Sequence, residues 1–416
     1  MEITMIIYNV RVFTEEEKFV PGAVLLRDDR IEQVFTGREI PKEILGAEEE
    51  QIDGQGCYCF PGMIDLHFHG CKGYDFCDGT REAVEEIARY EASIGVTAIA
   101  PATMTLPVEE LVQILGNGAA FKKEEEQRKR EADGEADPEL RARRRTEAAS
   151  LADLLGVNME GPFISPVKKG AQDAQYILAC DADICRRFQK AANGLVKFIG
   201  LAPEEVSREQ AEQFIQDVSD EMSVSLAHTN ADYDSALSAF DAGANHLVHM
   251  YNAMPPFTHR APGVIGAAAD SSHVMAEIIC DGVHIHPSAV RGAFSLMGKE
   301  RMIFISDSMR AAGMPDGIYT LGGQDVQVRG NHATLVSDGS LAGSVTTLPD
   351  CVRTAVKKMD IPLETAIACA TIHPAKSLGE EADYGSLTPG KKADLVLWND
   401  ELELQMVIKD GCVIRR

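Results

Sequence analysis

Two histidines separated by one residue, His67-Phe68-His69, are the first feature of this chain that could do chemistry. On an extended segment alternate side chains leave on the same side, so both imidazoles face one way. That spacing suits two nitrogen ligands to one cation; two polar residues sharing a strand face would look the same. Glu160 stands in Asn158-Met159-Glu160-Gly161-Pro162-Phe163. The proline denies it a helix surface, and a buried carboxylate needs a partner or a cation. His228, in Ala227-His228-Thr229-Asn230-Ala231, and His249, in His249-Met250-Tyr251-Asn252-Ala253-Met254, add two more nitrogens. A donor set of imidazoles and one carboxylate, with a position left for water, fits zinc or iron better than magnesium or calcium. Any one of these histidines alone would be read as a hydrogen-bonded core residue; the set argues for a metal. Asp307, in Ile305-Ser306-Asp307-Ser308, can take a proton from an activated water and hand it to a leaving group, although aspartate also caps helices. His284 closes the segment Asp281-Gly282-Val283-His284. His246, His259, His273, His286, His332 and His373 are read as structural, with His246 the nearest to the candidate set.

These residues need a scaffold that brings them to one place. Short apolar runs recur at Met63–Leu66, Thr97–Ala100, Gly156–Met159, Lys197–Leu201, Val224–Ala227, His246–Val248, Val274–Ile279 and Met302–Ile305. Helix-like segments such as Thr80–Ile94 and Arg208–Asp217 lie between most of them. Eight strand–helix units predict an α/β protein, a (β/α)8 TIM-like barrel, rather than an open doubly wound sheet. Nearly every candidate residue immediately follows one of the eight runs, and barrel active sites lie at the C-terminal ends of the strands.

Both ends of the chain look different. Met5–Phe13, Gly22–Arg27 and Arg30–Phe35 read as strands with turns at Pro21-Gly22 and Asp28-Asp29, and Asp394–Trp398 and Leu404–Ile408 read as strands before an Asp410-Gly411 hairpin turn and Cys412–Arg415. The expected division is a small β-sandwich domain built from 1–58 together with 378–416, and a barrel over 59–377. The barrel carries a charge-dense stretch, Phe121 to Ser150, with runs at Lys122–Arg130 and Arg141–Arg145. It is expected to be an exposed helical insertion between the second and third strands.

Composition excludes several function classes. The 416 residues, 45% of them hydrophobic, suffice for a large core, and no segment approaches the roughly 18 apolar residues of a membrane span. Met1–Phe13 has no basic region or cleavage site and reads as a first strand rather than a signal peptide. The ten cysteines form no CxxC pair and read as reduced thiols of a cytoplasmic protein. A net charge of −25 argues against nucleic acid and anionic membrane as partners. It also means that an anionic substrate needs specific local cations.

Taken together these segments resemble the N-acetylglucosamine-6-phosphate deacetylases, a branch of the amidohydrolase superfamily. The resemblance spans almost the whole chain: Pro61-Gly62-Met63-Ile64-Asp65, Asn158–Phe163, Ala227–Ala231, His249–Met254, Arg260 with Pro262-Gly263, Asp281–His284, Ala311–Gly317, Leu341–Ser344 and Pro389–Leu395. It implies hydrolysis of the acetamido group of a phosphorylated amino sugar in a homodimer. Glu160, His228 and His249 would be the principal ligands of a divalent metal, and His67 and His69 would decide between one ion and two. Asp307 would be the general base and then acid, and His284 a substrate contact that helps polarise the carbonyl. Asn252, Ala253 and Arg260 would meet phosphate and sugar, Ala171 and Gln172 would form a substrate loop, and Leu341, Ala342 and Gly343 would lie near the acetyl group. Position 172 is histidine in some members and glutamine here. The alternatives are the galactosamine epimer as substrate, another amidohydrolase acting on a cyclic amide or as a deaminase, and a metal-free barrel serving as a scaffold.

Overall fold

A computed structural model of the chain describes residues 4–37 and 50–416. Of the stretch 1–58 expected in the terminal domain, 1–3 and 38–49 lie outside the described residues. The expected barrel is present. Its eight parallel strands begin with Met63–Asp65, Val96–Ile99 (extended by Ala102–Thr103), Val157–Phe163 and Val196–Leu201, and continue with Ser223–Leu226, His246–Leu247, Met275–Ile279 and Met302–Ile305. All successive pairs are parallel. The barrel closes where the last strand meets the first: Asp307 donates its backbone N–H to the His67 carbonyl at 3.0 Å, and His69 donates to the Ser308 carbonyl at 2.7 Å. The strands are buried along nearly their whole length, which is why each reads as a mostly apolar run.

The helices between them follow from local signals. Arg81–Ser93 starts where Thr80 caps the Ala83 N–H, and Arg208–Val218 starts with a Ser207/Gln210 capping box. Both bury one apolar face against the barrel. Among the described residues no helix is long and apolar enough to cross a membrane.

Strands from the two ends form one continuous eight-stranded sheet that makes the small sandwich. Tyr58–Pro61 joins them, pairing with Thr4–Phe13 on one side and with Leu395–Trp398 on the other. Its core includes Met5, Ile7, Val12, Val24, Leu26, Leu395 and Ile408. The Pro21-Gly22 turn expected from sequence is absent: both residues lie inside the strand Phe19–Arg27. The glycine is needed for close packing, since a Cβ there would sit 2.0 Å from the Phe35 carbonyl oxygen. Asp28-Asp29 and Asp410-Gly411 do turn as expected.

The charged stretch is helical, as two helices, Val108–Asp133 and Pro138–Ala149. It is not only a solvated face. Phe121 and Glu125 are buried, and Glu125 accepts from the Leu154 N–H at 3.0 Å. Lys129 reaches Asp153 at 2.6 Å and Asp410 at 3.0 Å. Fully buried Lys409 joins the same two carboxylates at 2.7 and 2.9 Å, Lys392 binds Asp410 at 2.8 Å, and the Tyr384 hydroxyl donates to Asp153 at 2.7 Å. This ion cluster ties the insertion, the third strand's approach and the C-terminal hairpin together. All ten cysteines are free.

Candidate active site

The strand ends deliver the candidate residues with unusual backbone geometry. His228, His249, Ala253 and Asp307 all have positive φ, at 44°, 27°, 51° and 48°. Non-glycine residues adopt this region at a cost of about 1–3 kcal/mol each, held in place by surrounding structure. Here the restraints are visible. The His228 carbonyl accepts from Ser165, the Asp307 carbonyl accepts from Ser344, and the Asp307 N–H is spent on barrel closure. Glu160 does not follow its strand, as the apolar run suggested; it lies inside Val157–Phe163. There the stretch from Met159 to Phe163 spans what Ile199 to Leu201 span on the neighbouring strand. Such a bulge re-aims a side chain.

The side chains converge. Glu160 Oε1 is 2.9 Å from His228 Nε2 and 2.9 Å from His249 Nε2. His67 Nε2 lies 3.4 Å from the same oxygen, and His69 Nε2 lies 3.4 Å from Glu160 Oε2 and 3.4 Å from Asp307 Oδ1. Two triads result, Glu160/His228/His249 and His67/His69/Asp307, each with its ligand atoms within 4.8 Å of one another. All six side chains are buried. The donor set fits a divalent cation, and one atom shows it directly: His67 Nε2 is buried, faces this cluster and has no hydrogen-bond partner. Electrostatics agree. Burial opposes the charge of Glu160, but His228, His249 and His67 outweigh it and hold the carboxyl well below its usual range. Burial also raises Asp307, yet His69 and His67 bring it below the ordinary value. His67, His69 and His228 would be neutralised by burial alone; the carboxylates around them turn the shift upward. Carboxylates held ionised beside imidazoles drawn toward positive charge are satisfied by a cation ligated by neutral imidazoles.

A cleft of about 340 Å³ opens over this floor. Of the residues named from sequence, His69, Glu160, His228, His249 and Asp307 line it, with His67 buried beneath. His284 lines it as well, with Nδ1 2.7 Å from Asp281 Oδ2. Asn252, Ala253, Ala171, Gln172, Leu341, Ala342 and Gly343 complete the expected set. Gln172 is fixed at both ends, donating to Glu160 Oε2 at 2.7 Å and accepting from the Thr105 N–H at 2.6 Å. The antiparallel sheet Gly317–Leu321, Gln324–Arg329 and His332–Leu335 packs beside the cleft, contributes Leu321 to it, and binds the Ala171 carbonyl through Gln324 at 2.5 Å.

Arg260 is not brought in. It is exposed, its guanidinium is 2.6 Å from His259, and it lines a separate cavity with Pro255, Thr258 and Pro262. The lining residue with a cationic chain is instead Lys168, which sequence reasoning did not single out. Two further residues were also missed as site components. Glu277, read only as part of an apolar run, lies 2.8 Å from His67 Nδ1, and His246, read as structural, lies 2.9 Å from Glu277. A charged residue inside the run Val274–Ile279 was the available signal, because a fully buried glutamate requires partners.

Comparison with known proteins is consistent with this geometry. The amidohydrolase family pattern matches residues 58–414. The chain is 36% identical to N-acetylglucosamine-6-phosphate deacetylase of Bacillus subtilis, covering 99% of this chain and 97% of that one. It is 33% identical to N-acetylgalactosamine-6-phosphate deacetylase of Escherichia coli, covering 84% and 86%. A mutant of N-acetyl-D-glucosamine-6-phosphate deacetylase from Mycobacterium smegmatis, solved in complex with N-acetyl-D-glucosamine-6-phosphate, superimposes with a TM-score of 0.84 at 27% identity over 100% of both chains.

Proposed function

The chain belongs to the N-acetylglucosamine-6-phosphate deacetylase branch of the amidohydrolase family, and from that premise we propose that it hydrolyses the acetamido group of N-acetylglucosamine 6-phosphate. Water adds to the acetyl carbon, the C–N bond breaks, and acetate and glucosamine 6-phosphate leave. The observation that carries the reading is the sharing of Glu160 Oε1 by His228 and His249 on the floor of a cleft that Asp307 also lines.

Glu160, His228 and His249 would hold a divalent cation, zinc or iron, and His67 and His69 would offer donors for a second. When bound, a cation there supplies Lewis acidity toward the amide carbonyl and acidifies water. Asp307, held ionised, takes the proton from the attacking water and returns it to the departing nitrogen. His284 is the hydrogen-bond donor to the carbonyl: burial alone would lower its pKa, but the Asp281 carboxylate raises it above the usual imidazole value. Asn252 and Ala253 meet the sugar phosphate, and Ala171, Gln172, Leu341, Ala342 and Gly343 enclose the acetyl side. Lys168 provides a cation within the cleft. Arg260 lines a separate cavity, so it gives this cleft no cation. The free thiols suit the cytoplasm.

Acetate release from the glucosamine and galactosamine epimers, each with and without the 6-phosphate, tests the assignment alongside elemental metal analysis. Turnover confined to the phosphorylated glucosamine substrate is expected. Preference for the galactosamine epimer, which the Escherichia coli relative brings into consideration, would move the assignment to it.

A further inference from the structure

Glu277 sits in the middle of the strand Met275–Ile279 with no exposed surface and no part in the mechanism above. Four nitrogens converge on its two oxygens. His67 Nδ1 at 2.8 Å and the His249 backbone N–H at 3.1 Å meet Oε2; His246 Nε2 at 2.9 Å and Asn158 Nδ2 at 3.4 Å meet Oε1. An ionised carboxylate accepts about four such bonds and donates none. Each imidazole nitrogen facing it therefore carries the proton. For His67 the consequence is specific. With the proton on Nδ1, the lone pair is on Nε2, the buried atom without a hydrogen-bond partner that faces Glu160 Oε1 at 3.4 Å. The carboxylate is itself held from behind, because His246 packs its ring 4.7 Å from Phe198 and its Nδ1 meets Ser377 Oγ at 3.1 Å.

We propose that Glu277 is a positioning residue that locks His67 in the Nδ1–H form and so makes the second cation position, on the His67/His69 side of Glu160, competent to bind. It acts through His67 and touches neither the substrate nor the cation. The inference rests on the metal-dependent reading given above. It adds that the two cation positions are unequal in what supports them: Glu277 holds the ligating ring of His67 itself, but on the other side meets only the backbone N–H of His249. Carboxylates behind ligating imidazoles contribute roughly 10–100-fold to metal affinity.

The test is titration of the metal-free full-length protein with Mn²⁺, followed by elemental analysis and by electron paramagnetic resonance, in which a neighbouring pair of ions is exchange-coupled and a single ion is not. The parent protein is expected to bind two equivalents and show coupling. Glu277→Gln, nearly isosteric, should bind one equivalent unchanged and the other about 10–100-fold more weakly, with coupling lost at limiting metal. His246→Gln keeps a donor toward Oε1 and leaves the Glu277–His67 bond, so it should retain both ions. Two unchanged equivalents in Glu277→Gln would overturn the proposal, as would equal weakening of both, or the same loss in His246→Gln. A parent that binds one ion overturns it too, while a parent that binds none defeats the metal-dependent reading itself. Should Glu277→Gln not fold, Glu277→Asp, which keeps the charge but falls short of His67, should show the same selective weakening, and two unchanged equivalents there would equally overturn the proposal.

Discussion

His228 and His249 present their Nε2 atoms 3.2 Å apart, each 2.9 Å from one oxygen of Glu160. Two imidazole nitrogens facing each other and a carboxylate oxygen at this distance place three donor atoms around one small volume, which a divalent cation satisfies. Chelation should therefore abolish acetate release and lower the melting temperature, and zinc or ferrous ion should restore both. Saturation at a hundred times Kd stabilises by about 2.7 kcal/mol. Full activity after chelation to below one tenth of an equivalent of metal would end the metal-dependent reading.

Asp307→Asn should fold normally and retain metal on the Glu160 triad, but lose about 10²–10⁴-fold in kcat, the typical worth of a positioned general base. Near-normal turnover would remove Asp307 from its role.

Phosphate recognition should appear in KM. Lys168→Ala should raise KM for the phosphorylated sugar far more than for the bare sugar. Equal effects on both sugars would argue against a phosphate contact.

The Asp281–His284 pair predicts a pH effect with a definite sign. Burial works against the imidazolium, yet the Asp281 carboxylate raises the His284 pKa above its ordinary value. The protonated form is therefore present below that raised pKa and is lost as pH rises through it. Asp281→Asn removes the raising influence, so the alkaline limb of kcat/KM should move to lower pH. An unmoved limb would show that the imidazolium is not required.

The buried cluster under the helical insertion predicts a stability effect remote from the chemistry. Lys409→Met removes one of the three lysines that neutralise Asp153 and Asp410, and with Lys129 and Lys392 still in place it should destabilise by about 1–3 kcal/mol. Thermal unfolding should show it, while kcat stays at the parent value in protein that remains folded. Asp153 resists protonation: burial raises its pKa, and Lys129 and Lys409 reverse this to leave it below the usual carboxylate range. The stability it contributes is thus present above the ordinary aspartate pKa and is lost as pH falls through the depressed one.

Much of this architecture was legible in the residues alone, and the reasons are physical. Strands buried on both faces must be apolar throughout, so the eight runs stood out. Histidine and carboxylate types at the ends of those runs stood out with them. The bulge that carries Glu160 was marked only by Gly161-Pro162 just after it, residues that interrupt regular strand pairing but do not say which side chain is re-aimed. Glu277 announced its burial but not its partners, since His67 lies 210 residues away in the chain and His246 lies 31 away. The insertion's inward face was hidden for the same reason: Phe121, Glu125 and Lys129 share a helical stripe, but Asp153 and Asp410, which make its charges useful, come later.

The barrel seam has a temporal consequence. His67 and His69 belong to the first strand's end and Asp307 to the last, and Ser308 donates its hydroxyl to the Gly70 carbonyl across 238 residues of sequence. Tyr58–Pro61 likewise waits for Leu395–Trp398 to complete its sheet. During synthesis the emerging polypeptide holds both histidines long before their carboxylate partner leaves the ribosome. A product that stops before Asp307 therefore lacks both the barrel seam and one carboxylate of the centre.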